Sequence, residues 1–319
     1  MTNQKKFIVS HAPFWHDGGQ ISARSYHTMI AALPAVIFGL VQFGVPALAV
    51  ICLSVSMAMI WELIMNTLMK RPVTIGDGNA ALIGLLFGML VPATMPWWAL
   101  LVGTFVAIVI GKQVYGGIGG NPFNPALAAV AILMLSWADL FDFAEAYRNY
   151  ELGIAMVYPL AVLKHFGVAA ASSFDTGSLL MGKQIGGIGA TFGLGLIIGG
   201  IYLILKGIIR WEISVSFIVG IFVTAMIFNG VDSAKYAGPM FHLFSGYTLI
   251  GAFFLATEDS SSPVNFIPML IYGAGAGVMT VLIRNIGVYV DGVVFAILLM
   301  NLINPLVDNI RPKAIGKVA

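Results

Sequence analysis

Hydrophobic residues come in long blocks along this chain, not in the alternation of a half-buried strand or the narrow stripe of a surface helix. A helix needs about 17–25 residues to cross ~30 Å of hydrocarbon. Runs of about that length fall at 28–44, 46–69, 79–95, 97–115, 124–138, 188–206, 212–230, 242–257, 264–283 and 291–308. The pattern predicts an all-α polytopic membrane protein of about ten spans. The longest polar stretch, 139–187, carries Asp139, Asp142, Glu145, Arg148, Glu151 and Asp175 and separates five runs from five. The expected organisation is therefore a short segment 1–27, a five-helix unit 28–138, a connecting segment 139–187, a second five-helix unit 188–308 and a tail 309–319.

Composition sharpens this into a statement about solvent. Charged residues make up 9% and apolar ones 59%, with a mean hydropathy of +0.93; soluble domains carry roughly 25% charged residues. Too few charges exist to cover a water-facing surface, so lipid bilayer is the expected surrounding. The net charge of +2 sits in short clusters between apolar runs and implies no nucleic-acid partner. One cysteine, Cys52, excludes an internal disulfide framework and a thiolate metal site, and is expected to be a small buried hydrophobe. Residues 1–20 hold Lys5, Lys6, His11, His16 and Asp17 without an apolar core, unlike a cleaved signal peptide.

Loop charges give an orientation. With a cytoplasmic N-terminus, the inner side holds Lys5, Lys6, Arg24, Lys70, Arg71, Lys112, Lys206, Arg210, Arg311, Lys313 and Lys317, against Arg148, Lys164, Lys183, Lys235 and Arg284 outside. Basic residues accumulate on the cytoplasmic side. Both termini are thus expected in the cytoplasm and 139–187 outside, in a cell membrane.

The halves also resemble each other. A shift of 167 superposes Leu82-Ile83-Gly84, Phe87 and Pro96 on Leu249-Ile250-Gly251, Phe254 and Pro263; one residue further on, Ile118-Gly119 matches Ile286-Gly287 and Ala128 matches Ala296. The third run starts inside and the eighth outside, so the units are expected to be inverted repeats. Such repeats place a site near the membrane midplane at short or Gly/Pro-interrupted helices.

Candidate chemistry concentrates at span ends. Asp77 and Asn79 precede the third run, and Glu258 and Asp259 follow the eighth; carboxylates and amides there suit a hard cation or a proton relay. Asp291 lies at the last outer turn, where a local pair with Arg284 is expected. Glu62 lies deeper, in the second run, and is expected to snorkel past Lys70. The glycine-rich run from Gly111 to Pro125 contains Lys112, Asn121 and Asn124. Lipid cannot satisfy the backbone of such a loop, so protein must cover it or it must line a cavity. No nucleophilic triad order, metalloprotease motif or phosphate-binding loop is present. The five histidines are scattered, which argues against a haem-bearing subunit.

Four stretches carry a resemblance: GKQVYGGIGGNPFNPA (111–126), DGNAALIGLL (77–86), FHLFSGYTLIGAFFLAT (241–257) and RNIGVYVDGVVFAILLMNLINPLVD (284–308). Together they resemble the family that holds the D subunit of Rnf-type complexes and the B subunit of sodium-pumping NADH:quinone reductase. The short N-terminal region and the RPKAIGK ending are more like the Rnf member. The resemblance implies two inverted five-helix units, related in architecture to urea transporters. It further implies assembly with iron–sulfur and flavin subunits into a complex that passes electrons between ferredoxin and NAD, or a quinone-like carrier, while moving Na+ or H+. Such a chain does no complete reaction alone.

The resemblance also implies FMN, which the family links through its phosphate to a threonine of the outer loop in a pattern like S-x-A-T-P-L. This chain departs there. In the stretch 153–164, Pro159, Leu160 and Lys164 fit, but Tyr158 stands at the threonine position. Covalent FMN is therefore not expected, and FMN or riboflavin held without a bond is the alternative, with Tyr158, Pro159, Lys112, Asn121, Asn124 and Thr191 as candidate contacts. Thr191 imitates the end of the motif. Asp77, Asn79, Glu258, Asp259 and Asp291 are the candidate ion-path residues. Two other readings stand beside this one: a solute channel of the urea-transporter kind, and a flavin-less scaffold within the same complex.

Overall fold

The computed structural model describes residues 20–148, 157–171 and 173–310, and among them every regular element is helical. Lys5, Lys6, His11, His16, Asp17, Glu151, Arg311, Lys313, Lys317 and residues 153–156 lie outside the described residues. Helices α1 (Ile21–Phe43) and α2 (Val45–Leu68) form a hairpin that turns at Gly44, whose φ of 70° suits a residue without Cβ. Next come α3 (Asn79–Leu90), α4 (Trp97–Phe105, continued as a π-helix over Val106–Gln113) and α5 (Pro125–Ser136). The connecting segment contributes the short α6 (Pro159–Phe166).

The second half contains α7 (Gly193–Leu205), α8 (Trp211–Val231), α9 (Pro239–Phe244), α10 (Thr248–Ile250, continued as a π-helix over Gly251–Leu255), α11 (Phe266–Asn285) and α12 (Val293–Val307). Helix α2 packs on α3 and α4, and α8 packs on α11; α1 crosses α7, and α5 meets α12. The two halves therefore touch through their first and their last helices.

Four helices, α1, α2, α8 and α11, are long and apolar enough to cross a membrane alone. Their outward faces are apolar too. Ile30, Leu33, Ile37 and Val41 of α1 are exposed, as are Val215, Val219, Val223 and Met226 of α8. Apolar side chains on the core face and the outer face together are the signature of a helix solvated by lipid. The chain is an all-helical polytopic membrane protein. Cys52 differs from expectation: it is exposed on α2, where lipid replaces the protein core as its apolar surrounding.

Two apolar runs prove not to be continuous helices. The third, 79–95, stops at Leu90, because Val91 is extended ahead of Pro92 (ψ 158°) and the residue before proline is pushed out of the helical region. The eighth, 242–257, breaks at Ser245-Gly246-Tyr247, with Gly246 at φ 65°. A side chain at Gly246 would also overlap Asp291 Oδ2 and Leu160 Cδ1. Helix α3, with 12 residues, is about 18 Å long, well short of the ~30 Å hydrocarbon layer. The two discontinuities lie next to each other, since the Tyr247 hydroxyl donates to Leu90 O.

Helices α8 and α11 approach through small residues. A Cβ on Gly277 would meet Phe217 O and Ile221 N, and one on Gly220 would meet the Ala274 backbone. Close backbone approach through small residues is how helices associate in lipid, where no hydrophobic force draws them together. Gly277→Val should therefore destabilise the protein by about 1–3 kcal/mol through overpacking. Gly230→Ala, where a Cβ meets nothing within 4 Å, should be neutral or slightly stabilising, since alanine is the better helix former. Thermal midpoints of the two variants in detergent check this; equal midpoints would show that the α8–α11 contact is loose.

Candidate functional site

Polar side chains gather at both ends of the α3–α10 pair. At one end, the Asp77 Oδ1 accepts the Asn79 N–H (2.8 Å) and so starts α3 after the left-handed Gly78. The Glu258 carboxylate, just past α10, is held by four donors: Asn121 Nδ2 at 3.2 Å, Ser260 Oγ at 2.8 Å, and Ser261 N and Oγ at 2.9 and 2.5 Å. Asn124 caps α5 by accepting from Ala126 N and Leu127 N, while its Nδ2 donates to Leu255 O (3.0 Å), the last carbonyl of α10. Asp259 pairs with Arg24 of α1 at 2.6 Å, and that guanidinium also donates to Ile208 O.

Beside this group lies a cavity of about 360 Å³, lined by Arg24, Asn79, Thr257, Glu258, Asp259 and Ser260 around its polar part and by Leu82, Leu86, Phe253 and Phe254 on its apolar side, with Asp77 outside the lining. A side pocket of about 50 Å³ adds Asn121 and Asn124. Burial pushes the Asp77 carboxyl above its ordinary value, opposed by the Asn79 N–H and the Lys112 charge. Asp259 shifts the same way through desolvation by the surrounding chain, opposed by Arg24 and reinforced by Glu258, although its side chain stays 62% exposed.

At the other end stands Asp291, just before α12. Its carboxylate accepts from Arg284 Nη2 (2.9 Å) and Nε (3.2 Å), Tyr247 N (2.7 Å), Val293 N (3.1 Å) and Tyr158 Oη (3.4 Å). Arg284 also donates to His242 O, Ser245 O and Thr248 Oγ1. Those carbonyls lose their helical partners where α9 breaks from α10, and the guanidinium and the Thr248 hydroxyl, which donates to His242 O (2.8 Å) and Ser245 O (3.1 Å), supply replacements. The Tyr247 hydroxyl donates to Leu90 O (2.7 Å) and closes the end of α3. Lys164 of α6 ties the same region together by donating to Gly287 O and Tyr289 O at 2.7 and 2.5 Å; its desolvated ammonium is shifted below the usual lysine value. Asn124 and Asp291 thus hold opposite ends of α10, and about 18 Å of α3 separates the clusters.

A third polar group is sealed inside α2 and α4. Glu62 does not snorkel towards Lys70; it accepts both Lys112 Nζ bonds, each at 2.9 Å, and one from Thr74 Oγ1 at 2.7 Å. Both charges are almost fully buried. The π-helix re-aims Lys112 by one extra residue per turn, a distortion common at functional positions. A cavity of about 170 Å³ reaches this pair between Arg71, Thr74, Gln113, Gly116 and Gly117.

The residues that the sequence marks as candidates therefore separate into groups. Asn79, Asn121, Asn124, Glu258 and Asp259 meet at one end, with Asp77 behind Asn79. Tyr158, Pro159, Thr191 and Asp291 lie at the other. Lys112 belongs to neither, since Glu62 claims its ammonium. Arg284–Asp291 is the local pair expected of it, and it also mends the helix break. Three further residues hold the Asp291 end without a motif to mark them: Arg284 in this wider duty, Tyr247, and Gln184, whose Nε2 donates to Leu179 O, Thr191 O and Phe244 O. Their one signal is a polar group that must answer the backbone freed around Gly246.

The flavin seat implied by the resemblance does not suit a flavin here. Tyr158 is buried, its hydroxyl points at the Asp291 carboxylate, and no space for a water molecule remains among Tyr158, Gln184, Gly186, Thr191, Gly246 and Tyr247.

Lipid-facing stripes, helices interrupted within apolar runs, and charged pairs sealed inside the bundle define a polytopic membrane protein with polar, discontinuous helices at its centre. More narrowly, the chain belongs to the NQR2, RnfD, RnfE family, whose model matches residues 8–316. It is 36% identical over 314 residues to the D subunit of the Na(+)-translocating ferredoxin:NAD(+) oxidoreductase complex of Acetobacterium woodii, covering 98% of this chain and 96% of that protein. It is 34% identical over 309 residues to the D subunit of the proton-translocating ferredoxin:NAD(+) oxidoreductase complex of Clostridium ljungdahlii, covering 95% and 93%. The D subunit of the ion-translocating oxidoreductase complex of Shewanella amazonensis is 34% identical over 342 residues, covering 97% and 98%.

Proposed function

We propose that this chain is the membrane-embedded D subunit of an ion-translocating ferredoxin:NAD oxidoreductase complex and lines part of its cation path. The observation that carries the reading is the 360 Å³ cavity ending on the short α3–α10 pair. The cavity brings water and carboxylates to helices too short to span the bilayer, so the barrier beyond it is thin. In this reading the cavity faces the cytoplasm with both termini, residues 139–187 lie outside, and 28–138 and 188–308 are oppositely oriented five-helix units in the cell inner membrane. The electron carriers sit on iron–sulfur and flavin subunits that this chain contacts, and flavin chemistry belongs to those partners, not to Tyr158 or Thr191. The relatives named for Na+ and for protons are comparably similar, at 36% and 34% identity, so similarity does not choose the coupling ion.

A cation leaving water for the cavity would exchange hydration for Asn79, Asn121 and the Glu258 carboxylate, with Asp77 and Asp259 adding negative potential. Asp77→Ala and Glu258→Ala should lower ion movement into vesicles by about tenfold or more while leaving the assembled complex intact. Proportional loss of assembly and transport would count against the path. Because desolvation raises the Asp77 carboxyl, the negative charge behind Asn79 should be lost on acidification at a higher pH than an exposed aspartate would lose it. Transport should therefore fall on acidification at a higher pH than an ordinary aspartate would set, and Asp77→Asn should remove part of that limb. A solute channel of the urea-transporter kind predicts the opposite pattern: vesicles holding the chain alone would swell in permeant solute.

A further inference from the structure

We infer that Tyr158 replaces a flavin in this chain and does not hold one: its ring fills the outer end of the molecule, and its phenol closes over the Asp291–Arg284 pair. The backbone there is fixed from both sides. Tyr158 precedes Pro159 at the start of α6, and α6 is strapped to the α11–α12 turn by Lys164. The ring packs on Phe143 with centroids 5.0 Å apart, and Phe143 in turn packs edge-on against Tyr247.

A phosphoester on the Tyr158 oxygen would set a phosphate about one hydrogen bond from the buried Asp291 carboxylate, whose other oxygen already holds Arg284. Two anions so close in a desolvated site repel strongly, and the bulky group would have to enter a region with no room for water. Gly246 cannot make room, because a Cβ there would already overlap Asp291 and Leu160. Thr191 offers no second attachment point. It is buried, its hydroxyl has no partner among the described residues, and it lines the same sealed space. The aromatic plug also accounts for the asymmetry of the molecule, open to water at Glu258 and closed at Asp291.

Two measurements on the full chain purified in detergent test this. In-gel fluorescence after denaturation and flavin release by acid should both give far less than one flavin per chain, and Tyr158→Phe should leave both unchanged. A fluorescent band at this chain, or stoichiometric flavin in the extract, would overturn the inference. For the plug, Thr191→Cys in a Cys52→Ser background should react slowly with a maleimide. Adding Tyr158→Ala should speed labelling by at least about tenfold, since a closed position reacts only through local opening. If the alanine variant does not elute as a single species, Tyr158→Leu makes the same comparison. Equal labelling rates with and without the tyrosine ring would show that Tyr158 seals nothing.

Discussion

Lys112→Met should cost the protein about 3–5 kcal/mol of stability, because it leaves the Glu62 carboxylate buried without its cation. The pair lies inside the bundle with side-chain exposures of 2% and 0%, and water entering through the 170 Å³ cavity beside it can replace only part of what the ammonium supplies. Thr74 would still donate one hydrogen bond, which offsets only part of the desolvation. Glu62→Gln alone should be damaging for the mirror reason, with a buried ammonium facing a neutral amide. The double variant Glu62→Gln/Lys112→Met removes both charges and should recover most of the loss. A methionine fills the space of the lysine stem, and the amide can still accept from Thr74. Unfolding midpoints of the four proteins in detergent give the coupling energy directly. Simple addition of the two single losses in the double variant would show that the charges do not depend on each other. If the double variant is stable but fails to move ions, the pair is kept for transport and not for folding.

The Glu62–Lys112 pair also shows what the sequence makes legible and where it stops. Lipid as solvent, the positions of most helices, and the polar ends of the third and eighth apolar runs follow from block patterning and charge scarcity alone. Asn79, Asn124, Glu258 and Asp259 meet because each stands at or just beyond a helix end on the same side, with Asn121 in the loop before α5, and helix ends are visible as Gly, Pro, Asn and acidic residues. The partner of Glu62 was not legible. Lys70 is nearer along the chain, yet Lys112 reaches Glu62 because α4 turns into a π-helix over Val106–Gln113, a shift that no periodicity announces. The break at Gly246 was equally hidden, since 242–257 reads as one apolar run. Pairing Arg284 with Asp291 needed only proximity in sequence, but the wider duty of that arginine depends on the break.

That duty makes Arg284→Lys the second large effect. The arginine sends Nε and two Nη groups to Asp291, His242 O, Ser245 O and Thr248 Oγ1. Lysine carries the same charge as a point with three donors and cannot reproduce a planar fork. It can keep Asp291 but must abandon at least one carbonyl freed by the break between α9 and α10. Each buried acceptor left unmet costs about 1–3 kcal/mol; the Thr248 hydroxyl reaches both carbonyls but has one proton to give, so one acceptor is left short and a loss of about 1–3 kcal/mol is expected. Arg284→Met should be worse, because Asp291 then stays buried as an unpaired anion, retaining only the N–H groups of Tyr247 and Val293 and the distant Tyr158 phenol. The damage should be local at first. Tyr247 and Asp291 join α10 to α3, α6 and α12, so protease sensitivity should rise near Gly246 before the α8–α11 contact opens. Limited proteolysis alongside thermal unfolding separates the two events. If Arg284→Lys matches the wild type in both, the Thr248 hydroxyl suffices for the carbonyls at the break, and the Asp291 cluster does not hold the discontinuous helix in place.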